Sequence, residues 1–148
     1  MLIDTSVLAR LLQPHHPLYA VADRAIERLV SEGRDLYVVP QNLIELWVVG
    51  TRPVEQNGLG MNAADMAREL IRIKRMFLLL PDSAAVYSVW ESLVTQHNVS
   101  GKPAHDAHLV AAMRTHGLKS ILTFDPSGFT RYADVEVIQP ASIATRGT

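Results

Sequence analysis

The chain has 148 residues, 48% of them hydrophobic and 20% charged, with a net charge of −1 and no cysteine. That length is enough for one domain with a full core, and the missing thiols exclude disulfides, thiolate nucleophiles and zinc–thiolate sites. The near-neutral balance excludes a chain that is basic throughout, so a nucleic-acid partner must be held by a local patch or through a metal.

The first apolar run predicts a strand at Leu2–Ile3, followed by Asp4 and a helix beginning near Ser6. In PLYAVADRAIERLVSEG, Val21, Ala25, Ile26, Leu29 and Val30 are spaced as one helix face, and Gly33 is a C-terminal stop. A second strand at Leu36–Val39 leads into the helix QNLIELWVVG. GTRPVEQNGLGMN, rich in Gly, Pro and Asn, is a loop between helices. NAADMARELIRIKRM is a helix capped by Asn62. After a strand at Phe77–Leu80, Ser83 takes the capping role for SAAVYSVWESLVTQHN. AHDAHLVAAMRTHG ends at Gly117, and strands follow at Ser120–Thr123 and Val135–Ile138. Only the final SIATRGT reads as loosely ordered.

Strands separated by helices pair in parallel and form a sheet covered on both faces, so an α/β fold is expected, as one domain over 1–148. No apolar stretch approaches the roughly 18 residues of a membrane span. No basic segment precedes the opening MLI as a secretory signal would require. The expected location is the cytoplasm, where the absence of cysteine is at home.

In a parallel sheet, ligands gather at the carboxyl ends of the strands. Asp4 follows the first strand, Glu45 lies one turn into the helix after the second, and Asp125 follows the fourth. Asp106 sits in the first turn of the helix that leads into the fourth strand. Helices run antiparallel to the strands they cover, so that helix starts at the same edge. Each acid also has a structural explanation: Asp4 as an N-cap, Glu45 as N3 of a capping box begun by Asn42, Asp106 as a complement to the helix dipole, Asp125-Pro126 as a turn opening. Together these explanations weaken, because caps need not share an edge and no Lys or Arg within the motifs neutralises it. Packed carboxylates repel, and a divalent cation removes the conflict. All-oxygen ligands favour Mg²⁺ or Mn²⁺ over zinc. One or two such ions can hold a phosphodiester, activate a water and stabilise the leaving oxygen. Thr5, Ser6 and Thr123 flank these acids and can fix their orientation.

These segments resemble the PIN-domain ribonucleases, and more narrowly the VapC-type toxins of type II toxin–antitoxin pairs. The matching pieces are IDTSVLARLL, PQNLIELW, HDAHLVAAMRTHG and ILTFDPSGF, in order from Ile3 to Phe129. The resemblance implies a PIN-like three-layer α/β/α fold with a parallel sheet of about five strands. It implies a metal-dependent endoribonuclease that cleaves RNA phosphodiesters, with Asp4, Glu45, Asp106 and Asp125 as the acids that bind Mg²⁺ or Mn²⁺. It further implies a homodimer silenced by a small antitoxin laid across the site. The other reading is a PIN fold that binds RNA or a protein without cutting. Some relatives carry an additional acid near the third, where this chain has Ala104, His105, Ala107 and His108.

The remaining candidates are weaker. His105 is expected at the rim of the site and His108 at the surface, while His15 and His16 lie in a loop. Arg52 and Lys102, close in sequence to Glu45 and Asp106, are candidates for contacts with RNA phosphates. Arg68, Arg72 and Arg75 form a helical stripe best read as a solvated face. Trp47 and Trp90 fall on apolar helix faces, as core or dimer contacts. The HD doublet alone does not make an HD-domain phosphohydrolase, which is all-helical. Asp4 lacks the second acid that a haloacid-dehalogenase phosphatase or a receiver domain would need.

Overall fold

The computed structural model describes residues 1–145. Its elements are β1 (Leu2–Ile3), α1 (Thr5–Leu11), α2 (Tyr19–Ser31), β2 (Tyr37–Val38), α3 (Pro40–Thr51), α4 (Ala63–Met76), β3 (Leu78–Leu79), α5 (Val86–Gln96), α6 (Pro103–Thr115), β4 (Ser120–Leu122), β5 (Glu136–Ile138) and α7 (Pro140–Ala144). Short 3-10 turns occupy Val54–Gln56 and Pro126–Gly128. All five strands pair in parallel, in the order β3-β2-β1-β4-β5. The expected architecture is present, and β1 is the central strand.

Both faces of the sheet are apolar, because side chains alternate along a strand. Ile3, Val38 and Leu122 pack with α1 to α4 and with Ile143 of α7. Leu2, Val39 and Ile121 point the other way, against α5, α6, Phe129 and Tyr132. The handedness of the crossovers accounts for this division. From β1 outward to β3 the chain advances in one direction, so right-handed connections place α1 to α4 on one face. From β3 it reverses across the sheet to β4, and α5 and α6 must cover the opposite face. The reversal leaves a switch point between β1 and β4, where an open α/β sheet presents its ligand crevice.

The local signals are realised unevenly. Asn62 caps α4 by accepting from Asp65 N at 2.8 Å. The capping box of α3 is displaced from its expected place. The helix begins at Pro40, and Asn42, fully buried, accepts from Val39 N at 2.9 Å. Glu45 is therefore not N3 of that box and is free of a capping duty. Ser83 accepts from Ala85 N, but α5 begins only at Val86, so Ser83 closes a turn before the helix. Of the expected loose end, Ser142 to Ala144 belong to α7, whose Ile143 is buried, while residues 146–148 lie outside the described residues.

Candidate active site at the carboxyl edge of the sheet

Asp4 sits where β1 stops. Its N–H donates to Leu122 O of β4 at 3.0 Å, the last rung between the two central strands, and its carbonyl accepts from Val7 and Leu8 to start α1. The position is that of an N-cap, yet the side chain makes no capping bond. Instead Oδ2 accepts from Ser6 Oγ at 2.6 Å and from Thr123 Oγ1 at 2.7 Å. Thr123, at the end of β4, also accepts from Asp125 N at 2.9 Å, and Ser6 accepts from Phe124 N at 3.1 Å. Two hydroxyls thus tie the β1 and β4 ends together and fix the Asp4 rotamer. Burial pushes the Asp4 carboxyl above the usual carboxylate range, the hydrogen bonds from Ser6 and Thr123 oppose that rise, and the Glu45 charge adds to it.

Glu45 enters from α3. Oε2 accepts from Thr5 Oγ1 at 2.9 Å, and Oε1 accepts from Gln41 Nε2 at 2.7 Å. Gln41 also donates to His105 O at 2.8 Å, and its Oε1 meets His108 Nδ1. One amide therefore joins the start of α3 to the first turns of α6. Gln41 has no sequence signal of its own, apart from lying one helical turn before an acid. His108 is half-buried in this bridge, not the surface residue expected, because α6 turns that side chain toward α3. His105 is exposed and takes part through its carbonyl.

Asp106 stands in the first turn of α6, half-buried. Burial raises its pKa to about 6, the negative charges of Asp4, Asp125 and Glu45 push the same way, and His105 opposes. Gly128 explains how close the opposing loop can come. A β-carbon there would lie 2.5 Å from Asp106 Oδ2, so any other residue would push the carboxyl out of this position. Asp125 is exposed at the mouth, with Oδ1 accepting from Ser127 Oγ at 2.8 Å.

The acids thus reach one edge from β1, α3, α6 and the turn after β4. Among the described residues none of them is ion-paired. Nor do three acidic or imidazole groups close to metal-ligand spacing among those residues. Hydrogen bonds from Ser6, Thr123, Thr5, Gln41 and Ser127 fix the carboxyls of Asp4, Glu45 and Asp125. The donor set nonetheless fits a hard divalent cation. It is all oxygen and has no Lys or Arg paired to it among the described residues, and burial together with the charges of the other acids raises the Asp106 pKa to about 6.

A family profile described as the PIN domain matches residues 1–135. The chain belongs to the PIN domain family. In the curated proteins no sequence matches it. Among solved structures, this PIN domain is similar to the sarcin-ricin loop cleaving toxin VapC20 of Mycobacterium tuberculosis, at 21% identity, covering 88% of this chain and 94% of that one, with a TM-score of 0.62. FitAcB from Neisseria gonorrhoeae is 22% identical over 94% of this chain and 96% of its own, with a TM-score of 0.66. VapBC2 from Rickettsia felis, solved on a DNA fragment from its promoter, is 11% identical over 93% of this chain and 96% of its own, with a TM-score of 0.68. At these identities the likeness is one of fold.

The other expected residues fall outside the acid cluster. Lys102 is exposed at the start of α6, after the left-handed Gly101. Arg68 pairs with Asp65, and Arg72 pairs with Glu69 at 2.8 Å and donates to Leu11 O, as a solvated face would. Trp90 donates to Ala104 O at 2.8 Å and walls a cleft of about 690 Å³ with Ile44, Val48 and Glu45. That cleft is mostly apolar and opens on the Glu45 side of the site, not over Asp4. Arg52 lies beyond Thr5 and Ser6, in a second cleft.

Proposed function

We propose that this PIN domain is a Mg²⁺- or Mn²⁺-dependent endoribonuclease, the toxin of a toxin–antitoxin pair acting in the cytoplasm. One observation carries the reading. Acids from four separate segments face one edge of the sheet at the switch point with no ion-pair partner among the described residues, and burial together with the charges of the other three raises the pKa of Asp106. Such an arrangement is costly for stability and has use only with a cation and an anionic substrate. Asp4, Asp106 and Asp125 would hold one or two ions, with Glu45 either joining them or orienting the attacking water. When bound, the ion would lower the pKa of a water and stabilise the leaving 3′ oxygen of a phosphodiester.

The chain's own residues supply order. Ser6 and Thr123 hold Asp4 in one rotamer, and Thr5 and Gln41 hold Glu45, so the carboxylates are set before a ligand arrives. The exposure of Asp125 supports a role in meeting a long substrate.

The partner reading rests on two surfaces. The cleft bounded by Ile44, Val48 and Trp90 adjoins Glu45 and suits an apolar side chain of an antitoxin segment laid over the acids. FitAcB and VapBC2, similar in fold, support a partner of that kind. The edge strand β3 exposes Leu78 and Leu79, just after exposed Met76 at the end of α4, which suits a second copy of the chain.

Cleavage of labelled RNA with Mn²⁺, repeated in EDTA and with Asp4→Asn, tests the activity. Cutting is expected with Mn²⁺ alone, and the variant should fold normally while losing at least about 100-fold in rate. Cutting that survives EDTA would sink the metal mechanism. RNA that binds but is never cut would favour the non-catalytic binding module.

A further inference from the structure

We propose that the cleft between α1 and the loop after α3 is a phosphate-binding subsite for the RNA backbone, with Arg10 and Arg52 as its two cationic walls. The inference rests on the ribonuclease reading and extends it, since it assigns where the substrate is held beyond the bond that is cut. The cleft measures about 480 Å³ and shares Thr5 and Ser6 with the acid site, so a strand leaving the acids can pass directly into it.

Four arginines elsewhere, Arg28, Arg68, Arg72 and Arg114, are matched to carboxylates. Arg10 and Arg52 are not. Arg10 Nη1 donates to Gln13 Oε1 at 2.7 Å, and Arg52 Nη2 donates to Asn57 O at 3.0 Å, both neutral acceptors. The Nε of each is enclosed and has no acceptor among the described residues. Two like charges therefore line one cleft without a carboxylate partner, and an anion in the cleft would balance them. A guanidinium offers a planar fork that matches the paired oxygens of a phosphate. His16 lines the same cleft, and its Nδ1 already accepts from Leu18 N at 3.1 Å. In the neutral ring that leaves the Nε2–H as a further donor.

The walls are also fixed in advance. The loop after α3 folds back so that Gly60 N donates to Arg52 O at 2.9 Å. Gly58 lies so close that a β-carbon would stand 1.9 Å from that same oxygen. Asn57 adopts a left-handed φ of 61°, which turns its carbonyl onto the Arg52 side chain. In the metal-free protein the rim repels RNA, since its acids and the polymer carry the same sign. A cationic cleft one step away supplies the attraction, and the acids stay free to hold a metal.

Binding of fluorescein-labelled U12 and C12 RNA in EDTA, followed by anisotropy from 50 to 300 mM KCl, separates this from cleavage. Arg10→Gln and Arg52→Gln should each weaken both RNAs alike and flatten the plot of log affinity against log salt by about 0.7, the share of one single-strand phosphate contact. Arg10→Lys and Arg52→Lys keep the charge and should keep most of the slope. Arg68→Gln, on the ion-paired face, should leave it unchanged. Unaltered slopes in both Gln variants, with circular dichroism showing them folded, overturn the subsite while the ribonuclease reading stands. Wild-type protein that binds neither RNA in EDTA overturns the subsite, while the ribonuclease reading is decided separately by cleavage with Mn²⁺. A Gln variant that fails to fold is replaced by its Lys counterpart with the slope as readout, where loss of slope despite retained charge also overturns the proposal.

Discussion

Replacing Asp106 with Asn should make the metal-free protein more stable at neutral pH, and only there. The carboxyl carries an ordinary pKa of 3.8 when unfolded and about 6 in the fold, raised by burial and by Asp4, Asp125 and Glu45. Below pH 3.8 the group is protonated in both states and contributes no difference. Between the two values the unfolded chain gives up its proton first, so folding must take one up, and stability falls as pH rises. Above about 6 the whole cost is present. Each tenfold step in ionisation is worth about 1.4 kcal/mol, which would amount to about 3 kcal/mol in a dry site. Asp106 is half open to solvent, and screening brings that to about 1–2 kcal/mol. For a chain of this length the variant should melt about 3–6 °C higher at pH 7.5 in EDTA, with the gain gone near pH 4. Thermal melts at pH 4, 6 and 7.5 measure it. Millimolar Mn²⁺ should then raise the wild-type melting temperature more than that of the variant, and close the gap. If Asp106→Asn instead lowered the melting temperature at pH 7.5, with the loss fading towards pH 4, the ionised Asp106 would be serving the helix dipole of α6, and the picture of repelling acids would be wrong.

Gly128→Ala places a methyl 2.5 Å from Asp106 Oδ2, so RNA cleavage should fall sharply and stability by about 1–3 kcal/mol, read from rates and urea melts. Gln41→Leu removes the amide that joins Glu45 to His105 and His108. Cleavage should drop by about 10- to 100-fold, with a higher Mn²⁺ requirement and little change in melting. Thr123→Val takes a buried donor from Asp4 and an acceptor from Asp125 N. It should cost about 1–3 kcal/mol in urea unfolding, and an unchanged midpoint would mean that water replaces the hydroxyl.

The elements and the acids were legible in the sequence for different reasons. Strands of two or three residues could be found because their apolar runs sit between long helical patterns, even though most were expected a residue or two longer than they are. The acids could be placed at one edge because parallel topology fixes where strands end and helices begin. Capping was read less well. Asn42 carries the right chemistry for a cap, but the helix starts before it, at a proline that presets φ, and the side chain reaches back to Val39 instead. His108 was misplaced because its position on α6 does not say which neighbour that face meets.

By itself, then, the sequence determined the parallel α/β order and the presence of acids after β1 and β4 and at the starts of α3 and α6. Those follow from periodicity, chain connectivity and the handedness of crossovers, which act over short stretches or the whole topology. Only the tertiary structure decided what each acid is held by. Thr123 reaches Asp4 across 119 residues, Gln41 reaches the His105 carbonyl across 64, and Gly128 makes room for a carboxyl on another element. Arg10 and Arg52 share a cleft for the same reason. Partners so far apart in the chain meet through packing of the sheet and helices, and no local pattern records which side chains that packing brings together.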